Sequence, residues 1–360
     1  LKTQPFPSPR LCARGEWLAM LRPDAHDLEG TLARVADSGR GLSGEFLFSR
    51  FGAKTPLLIA VGAWQGFLPM GSGHEEELLL LKLHNRRCTL DPGCVHVGRR
   101  SRKLASRFRL SIDEAFQDVV RGTQRHTFTH EPDDNWLTDE LAAMYAAVNR
   151  LPSEHRRNVA FHSVELWDRE SGMLAAGEIG YTVGSIYSSC TGFALKREFP
   201  GAGTLQLVAL GCWLKHCGFQ VWDVGMSLDY KLELGAQRQL RRSWVATVRK
   251  LRCDSVELPS PDAALSLREL LVSRRRVQAA AGELAQRRRG KRREVVSDAP
   301  PARAAPAVQA SMQQAMLEHR LAPQGWGEAV HAYSLLSSLV ADVAVTLVCK
   351  AAEATASGEC

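Results

Sequence analysis

Paired cysteines and long apolar runs are both missing from this sequence. Its nine cysteines are scattered, with no C-x-x-C pair and no Cys/His spacing typical of a zinc site. We therefore expect reduced thiols, no metal and no cofactor. The most apolar stretch, residues 329–349, contains Asp342, and a charge at bilayer depth is costly, so we expect no membrane association. With no signal-peptide pattern, the sequence predicts a cytoplasmic protein, or an organelle protein whose transit peptide has been removed.

Positive charge is what the sequence has in excess. It carries 46 Lys and Arg against 39 Asp and Glu, a formal charge of +7. Clustered cations gain affinity for phosphate backbones by releasing counterions, so a nucleic acid is one candidate partner. Much of this charge lies in residues 271–310, where Arg triplets precede an Ala/Pro-rich run. That composition buries too little apolar surface to order itself, which predicts a solvated helix and linker, or a nonspecific RNA-binding arm.

Composition and periodicity divide the chain into three predicted domains. Residues 1–95 are expected to form a smaller N-terminal domain, and residues 96–255 an α/β domain with a mixed sheet. Residues 256–360 are expected to form a basic, partly disordered C-terminal extension. The hydrophobic fraction of 45% is ample for a buried core.

The central domain shows one clear helical pattern and one clear hairpin pattern. Apolar residues at helical spacing predict a helix over 112–122, with Ser111 and Glu114 as its capping box. The alternating segments 161–167 and 173–183 predict two strands joined by a turn. A helix over 204–216, ended by Gly218, and a strand over 219–224 follow. Strand, strand, helix, strand is the order of an α/β acyltransferase core.

Seven short motifs occur in order over roughly residues 45–250. They are GFLPM (66–70), LHNRRCTL (83–90), HVGR (96–99), AF (115–116), NWLT (135–138), HSVELW (162–167) and a block with VWD, LGA and RR (221–242). In this order they resemble the leucyl/phenylalanyl-tRNA–protein transferases. The resemblance implies an acetyltransferase-like (GNAT-type) α/β fold. It also implies transfer of Leu, Phe or Met from aminoacyl-tRNA to the N-terminal amine of proteins beginning with Arg or Lys, marking them for degradation.

The resemblance places Asp223 near the reacting amine as a catalytic residue. Taken alone, an Asp after a buried strand often only caps the next turn. Two residues on, the family pattern has a glutamine where this sequence has Gly225. The family also has an acidic residue in the segment that corresponds to residues 188–193, which includes Ser189 and holds no carboxylate.

Further residues are expected to bind the tRNA or its aminoacyl group. Trp136 matches a family tryptophan, and an indole can stack on the terminal adenine. The other candidates are Arg87, Arg99, His162 and Glu165, followed by Arg241 and Arg242 of the RR motif. From the residues alone, a strand histidine is more often hydrogen-bonded to backbone, and clustered arginines equally fit a solvated face.

The resemblance implies aminoacyl-tRNA and proteins with basic N-terminal residues as partners, and we expect a monomer. Two other functions stay open. Residues 197–203 open a helix whose backbone N–H groups can cradle a pyrophosphate, which would suit an acyl-CoA N-acyltransferase, although their spacing is one residue too long for that pattern. The glycine at 225 also fits a binding module that holds aminoacyl-tRNA or basic N-termini without turnover.

Overall fold

The structure is a computed structural model that describes residues 27–39, 45–72, 78–127 and 135–272. All of these lie in the first of two compact units, residues 1–288, and the second unit lies outside the described residues. The Arg triplets and the apolar stretch 329–349 also lie outside them. No helix in the described ranges is both long and apolar enough to cross a membrane. The three predicted domains stay predictions.

The N-terminal part combines two helices with a small antiparallel sheet. These elements are α1 (Leu28–Ser38), β1 (Phe46–Arg50), α2 (Thr55–Trp64), β2 (Leu68–Gly71) and β3 (Leu78–Lys82). The strand order is β1-β3-β2. Helix α2 is apolar and buried along most of its length, as expected of a helix inside a core, and Pro56 lies in its first turn, where no backbone donor is lost.

The rest of the described chain is built around a seven-stranded mixed sheet of order β10-β4-β9-β8-β7-β6-β5. Its strands are β4 (Arg86–Leu90), β5 (Phe108–Ile112), β6 (Val159–Asp168), β7 (Leu174–Val183), β8 (Ile186–Ala194), β9 (Val221–Gly225) and β10 (Gln237–Leu240). Only β8 and β9 are parallel neighbours; the other described pairs are antiparallel. Strand β4 belongs to this sheet although it precedes residue 95.

Helices cover both faces of this sheet. They are α3 (Arg99–Leu104), α4 (Phe116–Thr127), α5 (Asp139–Asn149), α6 (Ser153–Arg156), α7 (Ala202–Cys217), α8 (Asp229–Glu233) and α9 (Arg241–Leu251). One buried cluster joins the N-terminal elements with α4, α5 and α9, and a second surrounds α7. Strand β6 shows the alternation that separates them, since Phe161 lies in the first cluster and Val164 in the second.

The expected α/β fold class with a mixed sheet is confirmed, as are the hairpin and the helix that follows it. Strands β6 and β7 pair along their length around the predicted turn. Helix α7 ends at Gly218 in the left-handed conformation, as predicted for a glycine C-cap. The sequence did not reveal β8, because its small and polar residues, SSCTG, lack the β-branched pattern of a strand.

The predicted helix over 112–122 begins too early. Ile112 is the last residue of β5 and pairs with Val164, and α4 starts only at Phe116. Asp113 has a φ of 60°, which breaks the strand before the helix begins. The predicted capping box is therefore wrong: Ser111 donates to Glu165 instead, and Glu114 accepts from Arg109. A tertiary carboxylate outweighed the local capping pattern.

The segment 66–71 is held by hydrogen bonds to its backbone. The Trp244 indole Nε1 donates to the carbonyl of Gly66 at 2.9 Å. The Tyr181 hydroxyl donates to the carbonyl of Phe67 at 3.0 Å, and the Tyr145 hydroxyl to that of Pro69 at 2.7 Å. All three aromatic side chains are buried. Because an unpaired carbonyl in a core is costly, these donors fix the segment against α9, β7 and α5.

Candidate active site

The centre of the large sheet opens where its two parallel strands separate. Strands β8 and β9 pair only from Ile186 to Ser188 and from Val221 to Asp223. Beyond that point β8 runs on to Ala194, while β9 ends at Gly225. Such a gap at the carboxyl ends of parallel strands is where α/β sheets usually place ligands.

Asp223 lies at this opening and is fully engaged by neighbouring donors. The Arg87 Nε donates to both carboxylate oxygens, at 2.9 Å to Oδ1 and 2.8 Å to Oδ2, and Arg87 Nη2 also donates to Oδ2. The backbone N–H of Gly225 donates to Oδ1 at 2.9 Å. Both side chains of the ion pair are fully buried. The pair joins β4 to β9.

The Arg87 guanidinium has one donor group to spare. Its Nη1 is buried and has no hydrogen-bond partner among the described residues. Its face lies 4.9 Å from the centre of the Trp244 ring, a cation–π arrangement. Burial acts to lower the pKa of Arg87, but the Asp223 carboxylate outweighs it and holds the pKa above its ordinary value. A permanent cation therefore presents an unused N–H in a desolvated place.

Gly225 has a conformation that requires glycine. Its φ is 75°, in the left-handed region that side chains disfavour. A Cβ built at this position would meet no described atom within 4 Å outside its chain neighbours. The backbone therefore turns here beside open space.

Lys231 is a residue of this region that the sequence did not single out. It lies on α8, and its ammonium Nζ donates to the carbonyl of Val224, directly after Asp223. Burial is the main influence on its pKa and lowers it, whereas the Asp223 carboxylate acts in the opposite direction. The only signal in the sequence was its place eight residues after Asp223, which no general rule links to a site.

Ser189 lies just beyond the last paired residue of β8. Its hydroxyl donates to the Glu178 carboxylate at 2.8 Å and accepts from the indole of Trp222 at 2.9 Å. Tyr187 and Gln206 also donate to Glu178. Burial raises the pKa of Glu178, and these hydrogen bonds oppose the rise. The segment 188–193 thus contacts a carboxylate, supplied by the neighbouring strand β7.

His162 and Glu165 belong to a different network, around β5 and the start of α4. His162 Nδ1 lies 2.7 Å from an Asp113 oxygen. Buried Glu165 accepts from the hydroxyls of Ser111 and Ser163, at 2.7 and 2.5 Å, and from the N–H of Ala115 at 3.2 Å. Because β6 is three strands from β9, the backbones of these residues are at least about 14 Å from that of Asp223. Their roles in binding stay predictions.

The remaining predicted residues lie at three other places. Trp136 is partly exposed and accepts from the backbone of Gly71 at 3.2 Å. Arg241 donates to the carbonyls of residues 83 and 84, at 2.7 and 3.4 Å, so it braces the connection into β4. Arg99, at the start of α3, and Arg242 are exposed. The structure thus brings Arg87, Asp223, Gly225 and Ser189 together and leaves the others apart.

The fold is an α/β fold with a mixed sheet, as the sequence predicted, and its two parallel strands separate at this opening. Residues 89–249 match the family model described as leucyl/phenylalanyl-tRNA protein transferase. The chain is therefore related to these transferases through the segment that forms most of the large sheet, and the resemblance expected from the motifs is confirmed.

Individual relatives are similar at a modest level. The chain is 25% identical over 219 residues to a leucyl/phenylalanyl-tRNA–protein transferase of Dinoroseobacter shibae, covering 59% of this chain and 90% of that protein. It is 31% identical over 173 residues to one of Teredinibacter turnerae, covering 47% and 60%. Among solved structures, a tandem GNAT protein from the clavulanic acid biosynthesis pathway superposes with a TM-score of 0.27, at 14% identity, over 59% of this chain and 69% of that chain.

Proposed function

We propose that this chain is an aminoacyltransferase that moves Leu, Phe or Met from aminoacyl-tRNA to the N-terminal amine of a protein. The main support for the proposal is the family match over residues 89–249, a segment that contains the separating strands β8 and β9. The relatives named above are transferases of this kind. The reaction is aminolysis of an ester, so the site must stabilise a developing oxyanion and accept a proton from the amine.

Arg87 suits the first task. Its Nη1 is a buried donor with no partner among the described residues, and its charge is fixed by Asp223. Donors already desolvated and oriented stabilise developing negative charge more than donors in water do. In this proposal the fixed charge of the Arg87 guanidinium stabilises the developing oxyanion from within the sheet, and Asp223 is a positioning residue that holds the guanidinium.

The proposal also covers the acceptor protein, the oligomeric state, the cellular compartment and the residues that bind tRNA. The acceptor is a protein that begins with Arg or Lys, the acylated product is directed to degradation, and the enzyme is a cytoplasmic monomer. Trp136, Arg99 and the other predicted binding residues contact the tRNA. Light scattering of the purified chain tests the oligomeric state, and a set of peptides differing only in the first residue tests the acceptor rule.

The start of α7, which was the candidate pyrophosphate site, is contacted by a side chain. Arg100 Nη2 donates to the carbonyl of Pro200 at 3.1 Å, and a Cβ on Gly201, the N-cap of α7, would lie 3.0 Å from Arg100 Nε. A guanidinium at a helix start can itself bind a pyrophosphate, so this contact does not separate acyl-CoA from aminoacyl-tRNA as the donor.

One assay separates the three candidate functions. The purified chain is incubated with leucyl-tRNA and a peptide beginning with Arg, and the products are read by mass spectrometry. The matched arms contain acetyl-CoA in place of leucyl-tRNA, or a peptide whose first residue is Ala. A Leu–Arg product supports the proposal. Acetylated peptide would favour an acyl-CoA transferase, and tight binding of leucyl-tRNA without product would favour a binding module.

A further inference from the structure

The proposed transfer leaves one task without a residue, because Asp223 is poorly placed to accept a proton. Both of its oxygens are occupied by Arg87, and Oδ1 also accepts from Gly225. Its side chain has no exposed surface. A substrate amine would have to displace a buried ion pair to reach it, which is strongly unfavourable. The proton acceptor is therefore to be found beside this pair rather than in it.

Lys231 is the amine at the edge of the opening. Its Nζ donates to the carbonyl of Val224, which follows the last β9 residue that pairs with β8. The Lys231 side chain is half-buried, so part of it is accessible to solvent. One hydrogen bond to a carbonyl uses only one of the three protons of an ammonium, so Nζ can also contact a bound group.

The space that such a group would need lies next to it. Gly225 follows Val224, and a Cβ at Gly225 would meet no described atom within 4 Å outside its chain neighbours. The open side of Gly225 and the Nζ of Lys231 thus both lie at the carboxyl end of β9. Gly225 itself is buried, and the Arg87 guanidinium is a buried cation on the neighbouring strand β4. This end of the sheet therefore has an adjustable amine next to room for a bound group.

We infer that Lys231 takes up the proton of the attacking amine in the proposed aminoacyl transfer, an inference that rests on that function. The neutral N-terminal amine attacks the ester carbonyl, so a C–N bond forms and the C–O bond to the ribose breaks. The amine gives one proton to neutral Nζ. The resulting ammonium passes a proton to the departing ribose oxygen, which leaves Lys231 neutral again.

The charged groups around Lys231 are compatible with this exchange. Arg87 repels its ammonium and the Asp223 carboxylate attracts it, and Nζ lies 5.7 Å from the centre of the Tyr230 ring. The Glu178 carboxyl and the Cys88 thiol also lie near Lys231, and burial raises the pKa of both. Burial dominates and lowers the pKa of Lys231 below its ordinary value. A lysine whose pKa lies nearer neutrality gives and accepts a proton more readily in the working range.

The test compares Lys231→Met and Lys231→Arg with the wild type, and uses Lys250→Met as a control. Lys250 is an exposed lysine on α9, so its replacement removes the same charge away from the opening. Thermal melts and leucyl-tRNA titrations check folding and binding for each full-length chain. Transfer from leucyl-tRNA to an Arg-peptide is followed against pH. The pH at which Lys231 becomes reactive toward acetic anhydride is measured separately by mass spectrometry, and it reports the pKa without any turnover.

We expect Lys231→Met and Lys231→Arg each to lower kcat by a factor of about 10²–10⁴, the usual cost of losing a general base, with tRNA affinity unchanged. The wild-type rate should rise with two ionisations, that of the peptide amine and that of Lys231, and the variants should keep only the first. Lys231 should label with a midpoint below roughly 10.4.

Two results overturn the inference in distinguishable ways. Wild-type transfer with an equal rate and an equal pH profile in folded Lys231→Arg removes Lys231 from the reaction and leaves the proposed function intact. No transfer by the wild type at any pH overturns the proposed function, and the inference falls with it.

Discussion

Arg87 and Asp223 form a fully buried ion pair that ties β4 to β9 at the point where the parallel strands separate. The contact joins residues 136 positions apart in the sequence. It links the two strands beside the opening and occupies the Asp223 carboxylate with an arginine.

The first prediction concerns this pair. Asp223→Asn should lower the free energy of unfolding by about 3–5 kcal/mol, because it leaves the buried Arg87 charge uncompensated. Urea unfolding measures the loss. Asp118→Asn is the matched control, since its ion pair with Arg121 is more than half exposed and should contribute at most about 1 kcal/mol. Equal losses in the two variants would contradict a structural role for the buried pair.

The second prediction concerns the two hydroxyls that hold the segment 66–71. Tyr181→Phe and Tyr145→Phe should each destabilise the protein by about 1–3 kcal/mol, because each leaves a buried backbone carbonyl without its donor. Tyr230→Phe is the control, as that side chain is 47% exposed. Chemical denaturation of the three variants provides the comparison. If the two buried changes cost no more than the exposed one, the hydroxyls do not hold the segment.

The third prediction is a loss of stability in mild acid that originates at His84. Burial lowers the pKa of His84 to about 4 from its ordinary 6.5, and the hydrogen bond with Glu45 opposes this only in part. Between these pH values the unfolded chain binds the proton and the folded chain does not. The free energy of unfolding is therefore highest above pH 6.5, with respect to His84, and it decreases by about 3 kcal/mol as the pH falls to 4.

Unfolding free energies of the wild type and His84→Gln, measured from pH 7 to pH 4, test this. The variant should lose less stability than the wild type over that range. His155→Gln, at an exposed position on α6, should keep the wild-type slope. Parallel curves for all three proteins would assign the acid sensitivity to other groups.

The fourth prediction tests Trp136 as a stacking platform. Trp136→Ala should weaken binding of leucyl-tRNA by about 1–3 kcal/mol, the value of one stacked base. The hydrogen bond from Gly71 is made to its backbone carbonyl, so the substitution leaves that contact available. Trp167→Ala, on β6, controls for loss of a partly buried indole. Fluorescence titration with unchanged affinity for Trp136→Ala would show that its indole is structural.

Local sequence signals predicted the secondary-structure elements that depend on residues close together in the chain. The hairpin of β6 and β7 was visible because alternation and a turn are short-range, and α7 because apolar periodicity ends at a glycine. The ordered motifs pointed to the family, and with it to the fold and the reaction, since they keep residues such as Asp223 at fixed places along the chain. The predicted start of α4 was wrong because Glu165, 54 positions away, accepts the hydrogen bond of the Ser111 hydroxyl that the local pattern assigned to a helix cap.

Only the tertiary structure decided what the site residues do. The sequence shows Asp223 as a candidate base, but folding brings Arg87 against it from a distant strand and occupies its oxygens. Folding also separates His162 and Glu165 from the opening, because the order of strands in a sheet differs from the order of motifs along the chain. Lys231 had no signal at all, since its burial and its neighbours arise from packing. Charges interact through space, so their roles follow the fold and not the spacing along the chain.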